Sequence, residues 1–166
     1  VATESLMLTA TVDAKEGEDV MTVDAPNAFI QTKLPEPKEG EEKIVMKITG
    51  VLADLIVEMA PEAYEPFVVY KNGVKVLYLH VLMVLYGMLA VALLWYKKFR
   101  SDIKGIGFVF NPYDACVANR KVKCKQQTVR FYVDDLMSSH RNKKVNDKFE
   151  DWLNEMYGKH RPVKVV

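Results

Sequence analysis

Two adjacent aspartates follow a run of strand-forming residues, and a third aspartate lies far before them in the chain. The pair is Asp134-Asp135, directly after residues 127–133, and the third is Asp24. Carboxylates at neighbouring positions of a tight turn cannot move apart, so their repulsion is tolerable only where water or cations neutralise it. A divalent cation is the neutraliser that this arrangement predicts.

The sequence pattern places the carboxylates at strand ends. The alternation in residues 19–24 predicts a strand, and Pro26, which has no N–H to donate, ends its pairing. Asp24 therefore lies at the C-terminal tip of that strand. Residues 127–140 are a predicted hairpin with Asp134-Asp135 at its turn.

The remaining elements alternate helices with strands. Asn72-Gly73 is the strongest hairpin signal in the chain, and Gly17, Pro61 and Gly158 are predicted helix ends. The other predicted elements are a helix capped by Thr3 or Ser5 and running to about Lys15, a solvated loop over 35–42, a strand over 44–48, a helix over 52–59, strands over 67–70 and 76–79, a helix running through Ile103, strands over 106–110 and 115–118, and a last helix that buries Val145, Phe149, Trp152, Leu153 and Met156.

Composition is that of a globular protein with an uneven charge. The 166 residues are 49% apolar, enough for one domain or a compact pair of subdomains, and the net charge is +1. Residues 1–42 carry 3 basic and 10 acidic side chains, whereas residues 97–166 carry 16 basic and 8 acidic ones. The basic excess includes a closely spaced run that predicts phosphate binding, although such runs are often only solvated surface. The run consists of Arg120, Lys121, Lys123 and Lys125.

Cysteine usage and the N-terminus favour a reduced, cytosolic protein. Cys116 and Cys124 are too few and too isolated for a zinc site or a disulfide framework. Glu4 interrupts the N-terminus before an apolar signal segment develops.

One uncharged stretch has the length of a membrane span. Residues 76–96 contain no formally charged side chain, and Lys75 and Lys97 flank them. The first residues of this stretch, 76–79, belong to the predicted strand after Asn72-Gly73. The later residues belong to a predicted half-buried helix that continues beyond Lys97. We therefore favour a strand followed by a helix over a membrane span.

Four ordered blocks of the chain form one set of motifs that covers most of the sequence. They are Asp24-Ala25-Pro26-Asn27-Ala28-Phe29 with Lys33-Leu34-Pro35, Leu85-Tyr86-Gly87-Met88 with Trp95-Tyr96-Lys97-Lys98, Gly107-Phe108 with Asn111-Pro112-Tyr113-Asp114-Ala115-Cys116, and Tyr132-Val133-Asp134-Asp135-Leu136. The set ends in Tyr-Val-Asp-Asp, which is far more specific than an isolated aspartate pair. In these blocks and their order the chain resembles the reverse transcriptases of copia-type LTR retrotransposons.

The resemblance implies an α+β fold and a set of site residues. The fold would be a right-hand polymerase palm, a ferredoxin-like antiparallel sheet with helices on one face, plus part of the fingers. Asp24 and Asp134 would hold two Mg²⁺ or Mn²⁺ ions, and Asp135 would complete the acidic cluster. Phe29 would exclude a sugar 2′-hydroxyl, or else be an ordinary core aromatic. Tyr132 would lie by the primer terminus, or else be an ordinary strand tyrosine.

The chain also departs from the family pattern. Ala90 occupies the position of a glutamine that contacts the incoming nucleotide in the family, and Val91 and Leu93 stand where polar or basic residues are common. By this resemblance, the sequence would start after the family's N-terminal fingers strands and stop before its thumb and RNase H domain. It is expected to be a fragment, with palm at about 1–34 and 81–166 and a fingers-like insertion at about 35–80.

The expected function is RNA- or DNA-templated DNA synthesis by two-metal nucleotidyl transfer. The expected partners are a primed RNA or DNA template, deoxynucleoside triphosphates and the rest of the pol polyprotein, with no membrane. The expected location is a retrotransposon particle in the cytoplasm, or the nucleus. One alternative is a catalytically degenerate remnant that at most binds nucleic acid. Others are an RNA-dependent RNA polymerase, which Phe29 argues against, and a membrane protein built around residues 76–96.

Overall fold

A computed structural model of the chain describes residues 1–25, 32–37, 39, 42–85, 88, 91–159 and 161–165. Two compact units are present, Val1–Thr32 with Leu85–Val166 and, between them in sequence, Lys33–Val84. Along the chain the elements are α1 (Thr3–Glu16), β1 (Asp19–Asp24), β2 (Val45–Thr49), α2 (Val51–Met59), α3 (Pro61–Tyr64), β3 (Val68–Lys71), β4 (Val74–His80), α4 (Val91–Gly105), β5 (Val109–Phe110), β6 (Val117–Val122), β7 (Lys125–Tyr132), β8 (Asp135–His140), α5 (Lys143–Tyr157) and β9 (Lys164–Val165), with a 3-10 turn at Glu65–Phe67.

The larger unit is built on an antiparallel sheet. Its six described strands lie in the order β5-β6-β7-β8-β1-β9, and every neighbouring pair runs antiparallel. Strands β1 and β8 are neighbours although most of the chain separates them. Helix α4 lies in the connection that follows β1, and α5 connects β8 to β9. The four strands β7-β8-β1-β9 therefore form a split β-α-β arrangement in an α+β fold.

Helices α4 and α5 cover one face of this sheet. Phe131 of β7 packs edge-on against Phe99 of α4, with ring centroids 5.0 Å apart. On α5, the Asn146 side chain accepts a hydrogen bond of 2.8 Å from the Ser138 hydroxyl of β8. Because alternate residues of a strand share a face, Val23 and Leu136 belong to the same buried layer. This layer is the core of the larger unit.

Helix α1 covers the opposite face, which corrects our expectation that the helices lie on one face. Arg130 neighbours Phe131 in β7, so its side chain points away from α4. Its Nη2 donates to Oδ2 of Asp13 on α1 at 2.7 Å, and its Nη1 donates to the Thr9 hydroxyl at 2.8 Å. A guanidinium that is 1% exposed needs a counter-ion, and α1 supplies it.

The smaller unit has its own sheet and core. Strands β2-β4-β3 are antiparallel, and α2 packs against them around Ile48, Ala53 and Leu77. The β3–β4 turn is Asn72-Gly73, with φ values of 50° and 77°. Positive φ at both central residues is the requirement of a type I′ turn, which is why this dipeptide predicts a hairpin.

Several element predictions are confirmed. Strand β1 has the predicted bounds, and α1 ends at Gly17, whose φ of 63° is the left-handed conformation that glycine adopts easily. Gly158 ends α5 as predicted. The cap at the start of α5 was not predicted: it is Asn142, whose side chain accepts from the Lys144 N–H.

Other predictions are wrong in detail. Neither Thr3 nor Ser5 caps α1, because Ala2 is the capping residue and makes no side-chain bond. Asp135 is the first residue of β8, so the hairpin turn is Val133-Asp134. Met156 is 41% exposed and lies outside the core.

The uncharged stretch is divided between several elements. It contributes residues to β4, and α4 begins only at Val91. Among the described residues, no helix has both the length and the apolar character needed to cross a membrane.

Candidate functional site

Four side chains form a row across one end of the larger sheet. Tyr132 pairs with Asp135, Asp135 with Asp24, and Asp24 with Lys164 on β9. Residues that are directly opposite in antiparallel strands project to the same face. Neighbouring strands lie about 4.8 Å apart, so the whole row is about 14 Å wide. The folded chain thus places two carboxylates between a phenol and an ammonium group.

The two carboxylates of the row occupy a close type of strand pair. The Ala25 N–H donates to the Asp134 carbonyl at 3.1 Å. Since the two pair types alternate along antiparallel strands, Asp24 and Asp135 form the next, non-hydrogen-bonded pair, in which side chains lie closest. Like charges directly opposite each other are destabilising. A cation bound between Asp24 and Asp135 would therefore relieve the repulsion of this pair.

The third predicted carboxylate, Asp134, belongs to the turn beside this pair. Val133 precedes it with φ of 58°, while Asp134 has no positive φ. A positive φ at the first central residue alone is typical of a type II′ turn, which usually has glycine there. From α4, the Trp95 indole N–H donates to the Val133 carbonyl at 2.6 Å.

Helix α1 lies on the same face of the sheet as the carboxylate pair. A cavity of about 150 Å³ is lined by Val1 and Leu6 at the start of α1 and by Tyr132 and Asp135. The Ala2 N–H donates to Asp114 at 2.8 Å, which fixes the N-terminal end of the helix. Helix α1 therefore covers part of the carboxylate face over β7, and the exposed Asp135 lies near its N-terminal end.

The donor set fits a divalent cation only as a partial site. Among the described residues, no group of three or more His, Cys, Asp or Glu side chains is arranged to hold a metal ion. Asp24 and Asp135 share a face, whereas Asp134 lies on the turn. Mg²⁺ usually binds through one or two carboxylates and completes its shell with water and substrate phosphates. The carboxylate pair has the chemistry for that mode of binding.

The predicted basic residues lie at the other end of the sheet, on the β6–β7 hairpin. Lys123 and Cys124 form its turn, with φ values of 48° and 64°. Lys121 pairs with Gln126, six residues before Tyr132 in β7, and so lies on the carboxylate face. Lys125 projects from the opposite face. Of the four residues of the basic run, Lys121 alone thus combines an exposed ammonium group with the face that carries Asp24 and Asp135.

Arg120, the first member of the basic run, is engaged within the protein. Its Nε donates to Gln127 Oε1 at 2.7 Å and its Nη1 to the Ile106 carbonyl at 3.0 Å. The guanidinium carbon lies 4.6 Å from the centre of the Phe108 ring. Burial lowers the pKa of Arg120, although a guanidinium remains charged. These contacts leave little of its hydrogen-bonding capacity for a phosphate.

Two predicted substrate contacts, Phe29 and Ala90, lie outside the described residues. The structure adds three residues that the sequence analysis did not assign. Lys164 carried no local signal, because only strand pairing sets it opposite Asp24. Arg130 and Trp95 did carry a local signal. Arg130 is a charged residue between apolar strand residues, and Trp95 has an indole N–H on a predicted buried helix face, so both need buried partners.

Comparison of the chain with protein-family models, curated proteins and solved structures finds no match.

Proposed function

We propose that the chain is a fingers and palm fragment of a reverse transcriptase and that it carries out metal-dependent, templated DNA synthesis. The observation that supports this most is the row Tyr132–Asp135–Asp24–Lys164, with Asp134 on the adjoining turn. The ferredoxin-like connectivity of β7-β8-β1-β9, a polymerase palm in this proposal, holds that row. It brings the two distant aspartate motifs to one strand end.

In this proposal each residue of the row has a defined task. Asp24 and Asp135 hold Mg²⁺ or Mn²⁺ together with Asp134. When bound there, Mg²⁺ or Mn²⁺ would supply the positive charge that lowers the pKa of the primer 3′-hydroxyl and stabilises the pyrophosphate leaving group. Tyr132 is 65% exposed beside Asp135 and offers its ring to the primer terminus. Lys164 lies across from Asp24 and reduces the repulsion between the carboxylates.

Primer extension with the purified chain is the direct test. A primed RNA or DNA template, deoxynucleoside triphosphates and either Mg²⁺ or Mn²⁺ should give extended products. Asp24→Asn and Asp135→Asn should each abolish extension, because each leaves one carboxylate in the pair. Asp147→Asn is the control, since Asp147 lies on α5 and pairs with Lys143 at 2.5 Å, away from the row.

A second function, binding of nucleic acid without catalysis, is favoured by the position of α1. This helix covers the carboxylate face over β7 and β8, and Ala90 replaces the family's usual glutamine. If the chain binds a primer–template duplex but extends the primer with neither Mg²⁺ nor Mn²⁺, that result would support this non-catalytic function. A chain that neither extends nor binds the duplex would refute both functions.

Metal binding has its own readout that does not require turnover. Because a ligand that binds only the folded state stabilises it by mass action, Mg²⁺ or Mn²⁺ should raise the melting temperature. Asp134→Asn should weaken this effect and raise the metal-free melting temperature, because it removes repulsion. A melting temperature indifferent to both ions would count against the site.

A further inference from the structure

One side chain of α4 forms a hydrogen bond to the Val133-Asp134 turn, which directly precedes Asp135. Trp95 is 1% exposed, and its indole N–H donates to the Val133 carbonyl at 2.6 Å. Val133 precedes Asp134 directly in the chain. A displacement of this carbonyl therefore moves the backbone of the aspartate pair.

Val133 has a conformation that it does not favour by itself. Its φ is 58°, in the left-handed region, where a β-branched residue is a clear outlier. Such conformations persist only where the surrounding structure holds them, and they are concentrated at functional sites. Trp95 contributes the hydrogen bond that holds this one.

Trp95 itself is fixed by a buried aromatic cluster. Its ring packs edge-on against Tyr157 at 5.2 Å and stacks with Phe99 at 5.7 Å. The Tyr157 hydroxyl donates to Asp102, which also pairs with Lys98 at 2.6 Å. Burial, with the Asp102 carboxylate adding to it, raises the pKa of Tyr157, so the hydroxyl stays protonated and the bond persists. The indole is thus held in one orientation from the side opposite the turn.

We propose that Trp95 is a positioning residue for the carboxylate site. Its hydrogen bond keeps Val133 in the left-handed conformation, which sets the register in which Asp135 faces Asp24. Without the bond, the turn relaxes toward a conformation that valine prefers, and the carboxylates lose their spacing. This inference rests on the proposed metal-binding function, and it assigns to Trp95 a role in ion affinity beyond packing.

The test is the affinity of the site for Mn²⁺, measured from the melting temperature as a function of ion concentration. Trp95→Phe keeps an aromatic ring in the cluster and removes only the indole portion that donates. We expect it to weaken Mn²⁺ binding about fivefold or more, because it leaves the partly buried Val133 carbonyl without the indole donor. Trp152→Phe is the matched control: Trp152 lies on α5, stacks on Phe149 and meets the cluster at Tyr157, with ring centroids 6.2 Å apart, so it tests whether a change in cluster packing alone weakens the site. It should leave Mn²⁺ affinity unchanged.

Rescue separates positioning from packing. Val133→Gly removes the cost of positive φ, so the turn no longer depends on Trp95. In the Val133→Gly background, Trp95→Phe should therefore change Mn²⁺ affinity by less than about twofold. If Trp95 only fills space, the loss is the same with Val133 or glycine, and that result would overturn the proposal.

A measurement on the wild-type chain covers the case in which Trp95→Phe does not fold. The two tryptophans give two indole N–H resonances, which the Trp152→Phe variant assigns. Addition of Mg²⁺ should shift the Trp95 resonance, and the midpoint concentration of this shift should equal the one obtained from the melting temperatures. The Trp152 resonance should not shift. An unchanged Trp95 resonance with a stabilised protein would overturn the positioning role alone. A wild-type chain that no ion stabilises would overturn the proposed metal site as well.

Discussion

Lys121 should contribute to duplex binding in a way that its neighbours in the basic run do not. Alternation along β6 and β7 places Lys121 on the face of Asp24 and Asp135, and Lys125 on the opposite face. If the primer end lies at the carboxylate pair, a duplex that passes over the outer side of α1 on this face comes near Lys121 but not Lys125, which projects from the face that α4 and α5 cover. The sequence alone predicted phosphate binding by the run as a whole, and the pairing of the strands limits the expected contacts on this face to about one.

The distance from Tyr132, at the end of the row, to Lys121 can be measured along strand β7. Gln126, the partner of Lys121, lies six residues before Tyr132 in β7. At about 3.4 Å per residue this is about 20 Å. Along the axis of a duplex, the phosphates of one strand advance about 3.4 Å per nucleotide. The contact with Lys121 therefore falls about six nucleotides from the primer end.

The assay is fluorescence anisotropy of a labelled primer–template at several salt concentrations. Lys121→Gln should reduce the steepness of the plot of log affinity against log salt by about 0.9, the value of one phosphate contact. Lys125→Gln is the matched control and should change the slope little. Hairpin substrates with stems of about four and about twelve base pairs add a second test, since only the longer stem reaches Lys121.

Two results would refute this reasoning. An equal change of slope in Lys125→Gln would show that the duplex does not bind the carboxylate face. An unchanged slope in both variants would remove the β6–β7 hairpin from the nucleic-acid surface.

Three further predictions concern the face of the sheet that α1 covers and the substrate. Asp13→Ala should lower the free energy of unfolding by about 3–5 kcal/mol in a urea titration, because it leaves the buried Arg130 charge without a partner, and Asp13→Leu with Arg130→Met should recover most of the loss. Burial, with Asp13 nearby, raises the pKa of Glu18 above its ordinary value of 4.5, so the folded chain loses stability as pH rises through that pKa. Glu18→Gln should therefore raise the melting temperature at about pH 7 and hardly change it at about pH 4, whereas an equal effect at both would contradict the assignment. If extension is detectable, Phe29→Ala should increase ribonucleotide use relative to deoxynucleotide use, and an equal loss of both with unfolding would make Phe29 a core residue.

Local chemistry explains the elements that the sequence predicted well. Gly17 ends α1 and Asn72-Gly73 turns the β3–β4 hairpin because each requires a positive φ that few residues adopt. The bounds of β1 followed from its alternation. These signals depend only on neighbouring residues, so no tertiary contact is needed to recognise them.

Boundaries were less predictable where a strand pair decides them. Asp135 was expected in the turn, but pairing with Asp24 and Tyr132 makes it the first residue of β8. Val133 takes the turn position instead, against its own preference. Nothing in the local sequence favours a valine there, since the hydrogen bond that holds it comes from Trp95 on α4.

The sequence by itself determined which side chains are available to a metal and to phosphates, and it placed Asp24 at the end of a strand. Tertiary structure alone decided which of them share a face, because that depends on the register between strands that are distant in the chain. The register sets Asp24 between Asp135 and Lys164, and it divides the basic run so that Lys121 and Lys125 project from opposite faces. It also leaves Arg130 on the face that α1 covers, where a buried guanidinium can persist only because the folded chain brings Asp13 within 2.7 Å of it.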